Sequence, residues 1–312
     1  MKKIKLAIIG CNNMGTKHLN VLRENFADEV EISGILNRTT TKEKAAELGV
    51  HGFNSLDEIN SQTTDAVLIC TPAESHVDYA VEMLNRRLAV LLEKPMAADD
   101  EECKRIIEAA ERNQSPILVG HTENFNPAVI ALKKELKHPV TKIKALRVSN
   151  NVNGQHKVTV VPELMIHDLA IVSSLLPEKP KKINVSRKPQ YNWVQHAKVN
   201  MSYAKAEVEL ESAIIDIPAD RFMEVTDSED NLYRIDFRER RLSKNGKIIC
   251  EGGNSLVNEH RNFINMVKGS EAPFVGLEEA RENLNLCIRI EAQMPVADLL
   301  YKKMAEAQKS KD

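Results

Sequence analysis

The stretch Ile4-Lys5-Leu6-Ala7-Ile8-Ile9-Gly10-Cys11-Asn12-Asn13-Met14-Gly15 passes from a short apolar run straight into a turn bounded by glycines. An apolar run of this length, closed by polar residues, suits a strand buried on both faces. The turn compares with G-x-G-x-x-G, whose glycines permit a tight bend, close backbone approach to a pyrophosphate and close helix packing. Gly10 and Gly15 fill the first and third places, and Asn12 stands in the second. Asn is the non-glycine residue best able to take a positive φ, so the turn tolerates the exchange while the side chain crowds the approach. Asn13 and Met14 complete a loop whose position, between a strand and a helix start, aims backbone N–H groups at an anion.

Further apolar runs follow at Val30 to Leu36, Asp65 to Thr71, Leu88 to Glu93 and Pro116 to Gly120. Between them, Val77, Ala80, Val81 and Leu84, then Cys103, Ile106, Ile107 and Ala110, recur at helical spacing. Alternating strands and helices imply a parallel sheet with right-handed crossovers, so residues 1–121 are expected to form a doubly wound α/β nucleotide-binding domain. The texture then changes. A helix is expected over 126–137, opened by Asn126-Pro127, and another near Pro162 to Leu176. Strands are expected at Ile143 to Val148, Ile183 to Arg187, Ala197 to Tyr203, Ala206 to Ile214, Phe222 to Thr226, Leu232 to Phe237 and Ile248-Ile249. Strands in direct succession favour an antiparallel or mixed sheet, making 122–312 an α+β domain. Helices return from Asn258, with a break at Pro295 before a solvated, Lys-rich tail.

Composition narrows the function classes. Lys and Arg number 43 against 45 Asp and Glu, a net charge of −2, which offers no large field for nucleic acid or an anionic membrane. No apolar run approaches the ~20 residues of a membrane span, and Leu6 to Ile9 is too short for a signal-peptide core. Five scattered cysteines without a C-x-x-C pair read as reduced thiols of a cytoplasmic protein and argue against a structural zinc. No metal is expected: His167, Glu163 and Asp168 would put only one nitrogen and two oxygens on one helix.

The second strand ends Leu36-Asn37-Arg38-Thr39, where an NAD-selective fold normally places Asp or Glu on the ribose 2′-hydroxyl. Asn37 carries no charge to repel a 2′-phosphate and Arg38 offers donors to one, so the reading leans to NADP over NAD. Three more segments matter: Cys70-Thr71-Pro72-Ala73-Glu74-Ser75-His76, then Leu91-Leu92-Glu93-Lys94-Pro95-Met96, and Glu163-Leu164-Met165-Ile166-His167-Asp168. Lys94 falls just past a strand, at the carboxyl end where crevice residues belong in an open α/β sheet. Glu163 and His167, four apart, share one face of a helix, so that a carboxylate can orient an imidazole acting as a base.

Together with the Gly10 turn, these segments resemble the glucose–fructose oxidoreductase/inositol dehydrogenase (Gfo/Idh/MocA) family. The resemblance also takes in the crossover Val119-Gly120-His121-Thr122-Glu123-Asn124-Phe125-Asn126-Pro127 and the late helix Glu259-His260-Arg261-Asn262-Phe263. It implies a Rossmann domain followed by a large, open, mainly antiparallel sheet, with Lys94 and His167 catalytic and Glu163 in the place of the usual Asp. Cofactor contacts are implied for Gly10, Asn12, Asn13, Met14, Gly15, Asn37, Arg38, Thr71, Pro72, His76, Glu93 and Lys94. Substrate contacts are implied for His121, Asn124 and Asp168, although Asp168 is as readily structural. The usual crossover Arg is Asn124, and a frequent Asp is Ala170, departures that bear on the substrate. The crossover with Ile166-His167-Asp168 is similar to the branch of UDP-N-acetylglucosamine 3-dehydrogenases, implying an NAD(P)-dependent oxidation of a nucleotide sugar at C3. Inositol or another sugar is the alternative within the family, and a non-catalytic dinucleotide-binding sensor is the alternative class. A homodimer or homotetramer formed through the second sheet is a further expectation of the resemblance.

Overall fold

The computed structural model describes residues 2–39, 41–152 and 158–294; the expected break at Pro295 and the Lys-rich tail lie outside the described residues. The chain divides into two compact units: one of 1–122 with 254–282, the other of 123–253 with 283–312.

In the first unit, β1 (Ile4–Ile9), α1 (Asn13–Asn25), β2 (Val30–Leu36), α2 (Thr41–Leu48), β3 (Ala66–Ile69), α3 (His76–Asn85), β4 (Ala89–Glu93), α4 (Asp100–Asn113) and β5 (Ile117–Gly120) alternate as their periods require. The five strands are parallel and lie in the order β2-β1-β3-β4-β5. Every residue of β3, β4 and β5 is buried, which is why they read as unbroken apolar runs. Beyond β2, His51 to Phe53 adds one parallel bridge, Ile35 to Gly52, a rudimentary sixth position. Strand order therefore reverses between β1 and β3, which places a crevice beyond their carboxyl ends. At α4, Asp99 caps the helix by accepting from the Glu102 N–H at 2.9 Å, and three acidic residues fill the first turn.

The second unit begins with α5 (Pro127–Glu135), capped by Asn126, whose side chain accepts from the Ala128 N–H at 3.1 Å. It continues through β6 (Val140–Ser149), one turn of π-helix at Val161–Met165 and α6 (Ile166–Leu175). Then come β7 (Lys182–Ser186), β8 (His196–Ser202), β9 (Glu207–Ile214), β10 (Arg221–Asp227), β11 (Leu232–Asp236), β12 (Arg241–Lys244) and β13 (Lys247–Glu251). The eight strands run β13-β12-β11-β10-β6-β9-β8-β7 and pair antiparallel except for β6 with β9. Along β6, Ile143 and Ala145 point into the core, whereas Lys142 and Lys144 are exposed. The outward face carries opposite charges in rows: Lys198 reaches Glu209 at 2.8 Å and Lys188 reaches Glu211 at 2.7 Å. Strand β12, Arg-Leu-Ser-Lys, was not legible because only Leu242 in it is apolar.

A single cut after residue 121 misplaces the segment holding α7 (Ser255–Val267) and the start of α8 (Leu277–Glu291). The segment returns to the first unit because α7 packs on α1, with Arg261 and Lys268 paired to Glu29 and His260 bonded to His18. No disulfide joins the cysteines among the described residues. No helix among the described residues is long and apolar enough to cross a membrane.

Candidate active site

At the carboxyl end of β1, Gly10 takes φ +88°, and a Cβ there would stand 2.7 Å from the Cys70 carbonyl. A Cβ on Gly15 would overlap the Gly10 carbonyl oxygen. Both glycines are thus required by backbone approach, and Gly15→Ala is expected to shift the turn, visible as loss of dinucleotide binding by calorimetry. Asn12 departs from the reasoning about positive φ: it lies at φ −98°, exposed, as the residue before α1, so the turn needs no left-handed residue there. Asn13 is also exposed and Met14 half-buried, and no acidic residue occupies the first turn of α1, leaving its positive end uncompensated.

Asn37 ties β2 to this turn. Its Oδ1 accepts from the Cys11 N–H at 2.7 Å, and Thr41 Oγ1 donates to its carbonyl at 2.6 Å. With Oδ1 engaged, the buried Nδ2 has no hydrogen-bond partner among the described residues. That leaves a donor, rather than an acceptor, at the ribose-reading position. Arg38 beside it is exposed.

Beyond β3, Thr71 is half-buried and Pro72 exposed. His76 is buried and spans two loops, its Nδ1 2.8 Å from the Pro95 carbonyl and its Nε2 2.8 Å from the Thr71 carbonyl. Burial pushes its imidazole pKa down, against the pull of the two carbonyls. The ring therefore staples the turn after β3 to the one after β4. There Lys94 is half-buried, and the Lys94–Pro95 bond is cis. The Glu93 carboxylate faces protein groups: Oε1 lies 2.9 Å from His18 Nε2, and Oε2 accepts from the Lys94 N–H at 3.1 Å.

Next to Lys94, at the end of β5, His121 is 2% exposed, and neither ring nitrogen has a hydrogen-bond partner among the described residues. Burial, then the Lys94 charge, push its pKa down to about 4, with Glu93 opposing. The sign follows from proton counts. Between pH ~6.5 and 4 the unfolded imidazole holds a proton that the folded one does not, so stability falls with acidification, by roughly 3 kcal/mol in all. Denaturant midpoints across that range should show this loss, and His121→Gln should flatten it.

The second unit holds the remaining candidates. Glu163 stands in the π turn and His167 in the first turn of α6, both half-buried. A π turn needs more residues than an α turn, so four-residue spacing does not by itself put the two side chains one above the other. Asp168 is 1% exposed and is gripped by Arg147, whose Nε and Nη2 donate to its two oxygens at 3.0 and 2.8 Å. Arg147 Nη1 also donates to Glu123 at 3.0 Å, and Glu123 accepts from Asn126 Nδ2 at 3.1 Å. Burial raises the Asp168 pKa while Arg147 pulls it back. The carboxylate that sequence placed on substrate or in structure is thus committed to a buried fork. Asn124 is fully buried; its Oδ1 accepts from Lys133 at 3.4 Å, and its Nδ2 has no partner among the described residues. Sequence reading passed over Arg147, although an arginine in phase with Ile143 and Ala145 is a usable signal.

Residues 4–121 match the family model GFO_IDH_MocA, described as an oxidoreductase family with an NAD-binding Rossmann fold. Through this part, less than half of its length, the chain is similar to that family. The UDP-N-acetylglucosamine 3-dehydrogenase of Acidithiobacillus ferrooxidans is 26% identical over 182 residues, 58% of this chain and 56% of the relative. The inositol 2-dehydrogenase of Salmonella paratyphi B is 27% identical over 203 residues, 58% and 57% of the two lengths. The match thus spans little more than half the length of these curated relatives. The solved structure of the Acidithiobacillus enzyme has a TM-score of 0.87 at 21% identity, over 95% of this chain and 99% of that one. GenD2 from gentamicin A biosynthesis, in complex with NAD, gives 0.80 at 14% identity over 94% of each chain. These likenesses establish the fold. The glycine turn, the bare positive end of α1 and the free donor of Asn37 fit a dinucleotide.

Proposed function

We propose that the chain is an NAD(P)-dependent dehydrogenase acting on a secondary alcohol of a sugar, with a nucleotide sugar oxidised at C3 as its leading substrate. The observation that carries this reading is the grouping, beyond the carboxyl ends of one parallel sheet, of a dinucleotide turn with Lys94 and the unpartnered imidazole of His121. The bound dinucleotide supplies the hydride acceptor. His167 takes the hydroxyl proton, with Glu163 assigned to orient its ring. Lys94 donates a hydrogen bond to the same oxygen and stabilises the charge that builds there. His121 offers a neutral ring nitrogen to a substrate hydroxyl, and Asn124 an amide donor. The relatives named for UDP-N-acetylglucosamine and for inositol support the sugar class.

The test is reduction of each nicotinamide cofactor, followed by absorbance, with UDP-N-acetylglucosamine and inositol as substrates. Turnover of the nucleotide sugar supports the reading, turnover of inositol alone moves the substrate, and turnover of no polyol leaves a dinucleotide sensor. The Asn37 donor supports NADP, and Arg38→Ala is expected to weaken NADP binding about tenfold, or ~1.4 kcal/mol, with little change for NAD. The family resemblance also supports assembly through the second sheet as a dimer or tetramer, which sedimentation would register.

A further inference from the structure

A buried polar cluster of the first unit lies outside the cofactor turn. His18 on α1, Glu93 at the end of β4 and His260 on α7 are buried and joined in line. Glu93 Oε1 is 2.9 Å from His18 Nε2, and His18 Nδ1 is 2.8 Å from His260 Nε2. The two rings meet edge to face at 87°. His260 Nδ1 is buried with no hydrogen-bond partner among the described residues. Glu259, beside His260, is fully buried and accepts from Thr122 Oγ1 at 3.1 Å.

We infer that His18 and His260 form a polarised hydrogen-bond string that positions Lys94 through Glu93, an assignment that rests on the catalytic reading of Lys94. An ionised Glu93 has only acceptors, so His18 must give it the Nε2–H. A neutral His18 then accepts at Nδ1, and His260 must donate from Nε2. What remains at the far end is the lone pair of His260 Nδ1. The reverse arrangement would leave a buried N–H there instead, and orphaned donors are the rarer kind. Burial alone would push the Glu93 pKa up, but opposing groups, led by the His18 hydrogen bond, hold it below its ordinary value. Burial drives the His260 pKa well down, keeping that ring neutral. Burial and the nearby Glu93 push the Glu259 pKa well up. The string locks one Glu93 oxygen, which leaves the other fixed on the Lys94 N–H at 3.1 Å. Its reach is long in sequence and short in space: α7 connects to the turn after β4 through three hydrogen bonds.

The direct test is imidazole nitrogen NMR of the full chain. Both His18 and His260 are expected as neutral Nε2–H tautomers at pH 7; a cationic His18 or an Nδ1–H His260 overturns the string. A second measurement compares two variants in which residue 260 touches nothing that reacts. His260→Leu removes the donor to His18, whereas His260→Gln retains one. Leu is expected to lower kcat roughly tenfold, with cofactor Kd unchanged and faster exchange of the Lys94 amide proton, and Gln to restore most of both. Equal behaviour of the two variants overturns the positioning role. Should the wild type turn over no polyol, the dehydrogenase reading fails, while the tautomers and the Lys94 amide still decide the string.

Discussion

Lys94→Ala is expected to lower turnover by roughly 10²–10⁴-fold while leaving dinucleotide affinity within a few-fold, and His167→Ala to do the same. The two losses arise differently. In the proposed mechanism the lysine hydrogen-bonds an oxygen whose charge grows during reaction, so its removal is expected to raise the barrier without weakening the resting complex. If His167 is the proton acceptor as proposed, an exogenous base such as free imidazole should recover part of the rate in His167→Ala but none in Lys94→Ala. The cofactor turn sits on β1 and α1, away from both side chains in sequence, which is why affinity is the control. Full activity in the Lys94→Ala, His167→Ala double variant would refute the assignment. Steady-state kinetics and cofactor titration of the same preparations separate the outcomes.

The largest effect on stability is expected at the Arg147 fork. Removing one partner of a buried ion pair costs about 3–5 kcal/mol, because the remaining charge stays desolvated. Asp168→Ala falls at the low end, since Glu123 still pairs with Arg147. Arg147→Met is worse at neutral pH: it leaves Asp168 and Glu123 near each other, with Arg221 as a remaining nearby cation. Burial already raises the Asp168 pKa, and loss of Arg147 raises it further. A carboxyl that holds its proton more tightly folded than unfolded favours the native state at low pH. The Arg147→Met penalty should therefore shrink as pH drops from 8 to 5. Urea midpoints at the two pH values measure it; a penalty that is flat or grows on acidification would exclude this account. Because α6 carries both Asp168 and His167, partial loss of activity in Asp168→Ala is expected as well.

Much of the site was legible because its signals are local. A glycine that must sit against a neighbouring backbone announces itself at Gly10 and Gly15, and Lys94 at a strand's end needs only the strand period to be placed. Asp168 shows the limit: its residue type allowed a ligand contact or an ion pair, and the choice depended on an arginine 21 positions away. Glu163 shows another, since a single turn of π-helix alters which side chains share a face while leaving hydropathy unchanged. Asn12 failed for a backbone reason, as the residue's tolerance of positive φ was not called upon.

From the amino-acid order alone came the alternation of strands and helices, the change to an antiparallel sheet and the dinucleotide turn, because periodicity and glycine sterics act over a few residues. Tertiary structure alone decided that residues 254–282 return to the first unit, that Arg147 grips Asp168, and that His18 meets His260 across 242 positions. Buried polar groups must find partners wherever the fold brings one within about 3 Å, and that distance is set by packing rather than by neighbours along the chain.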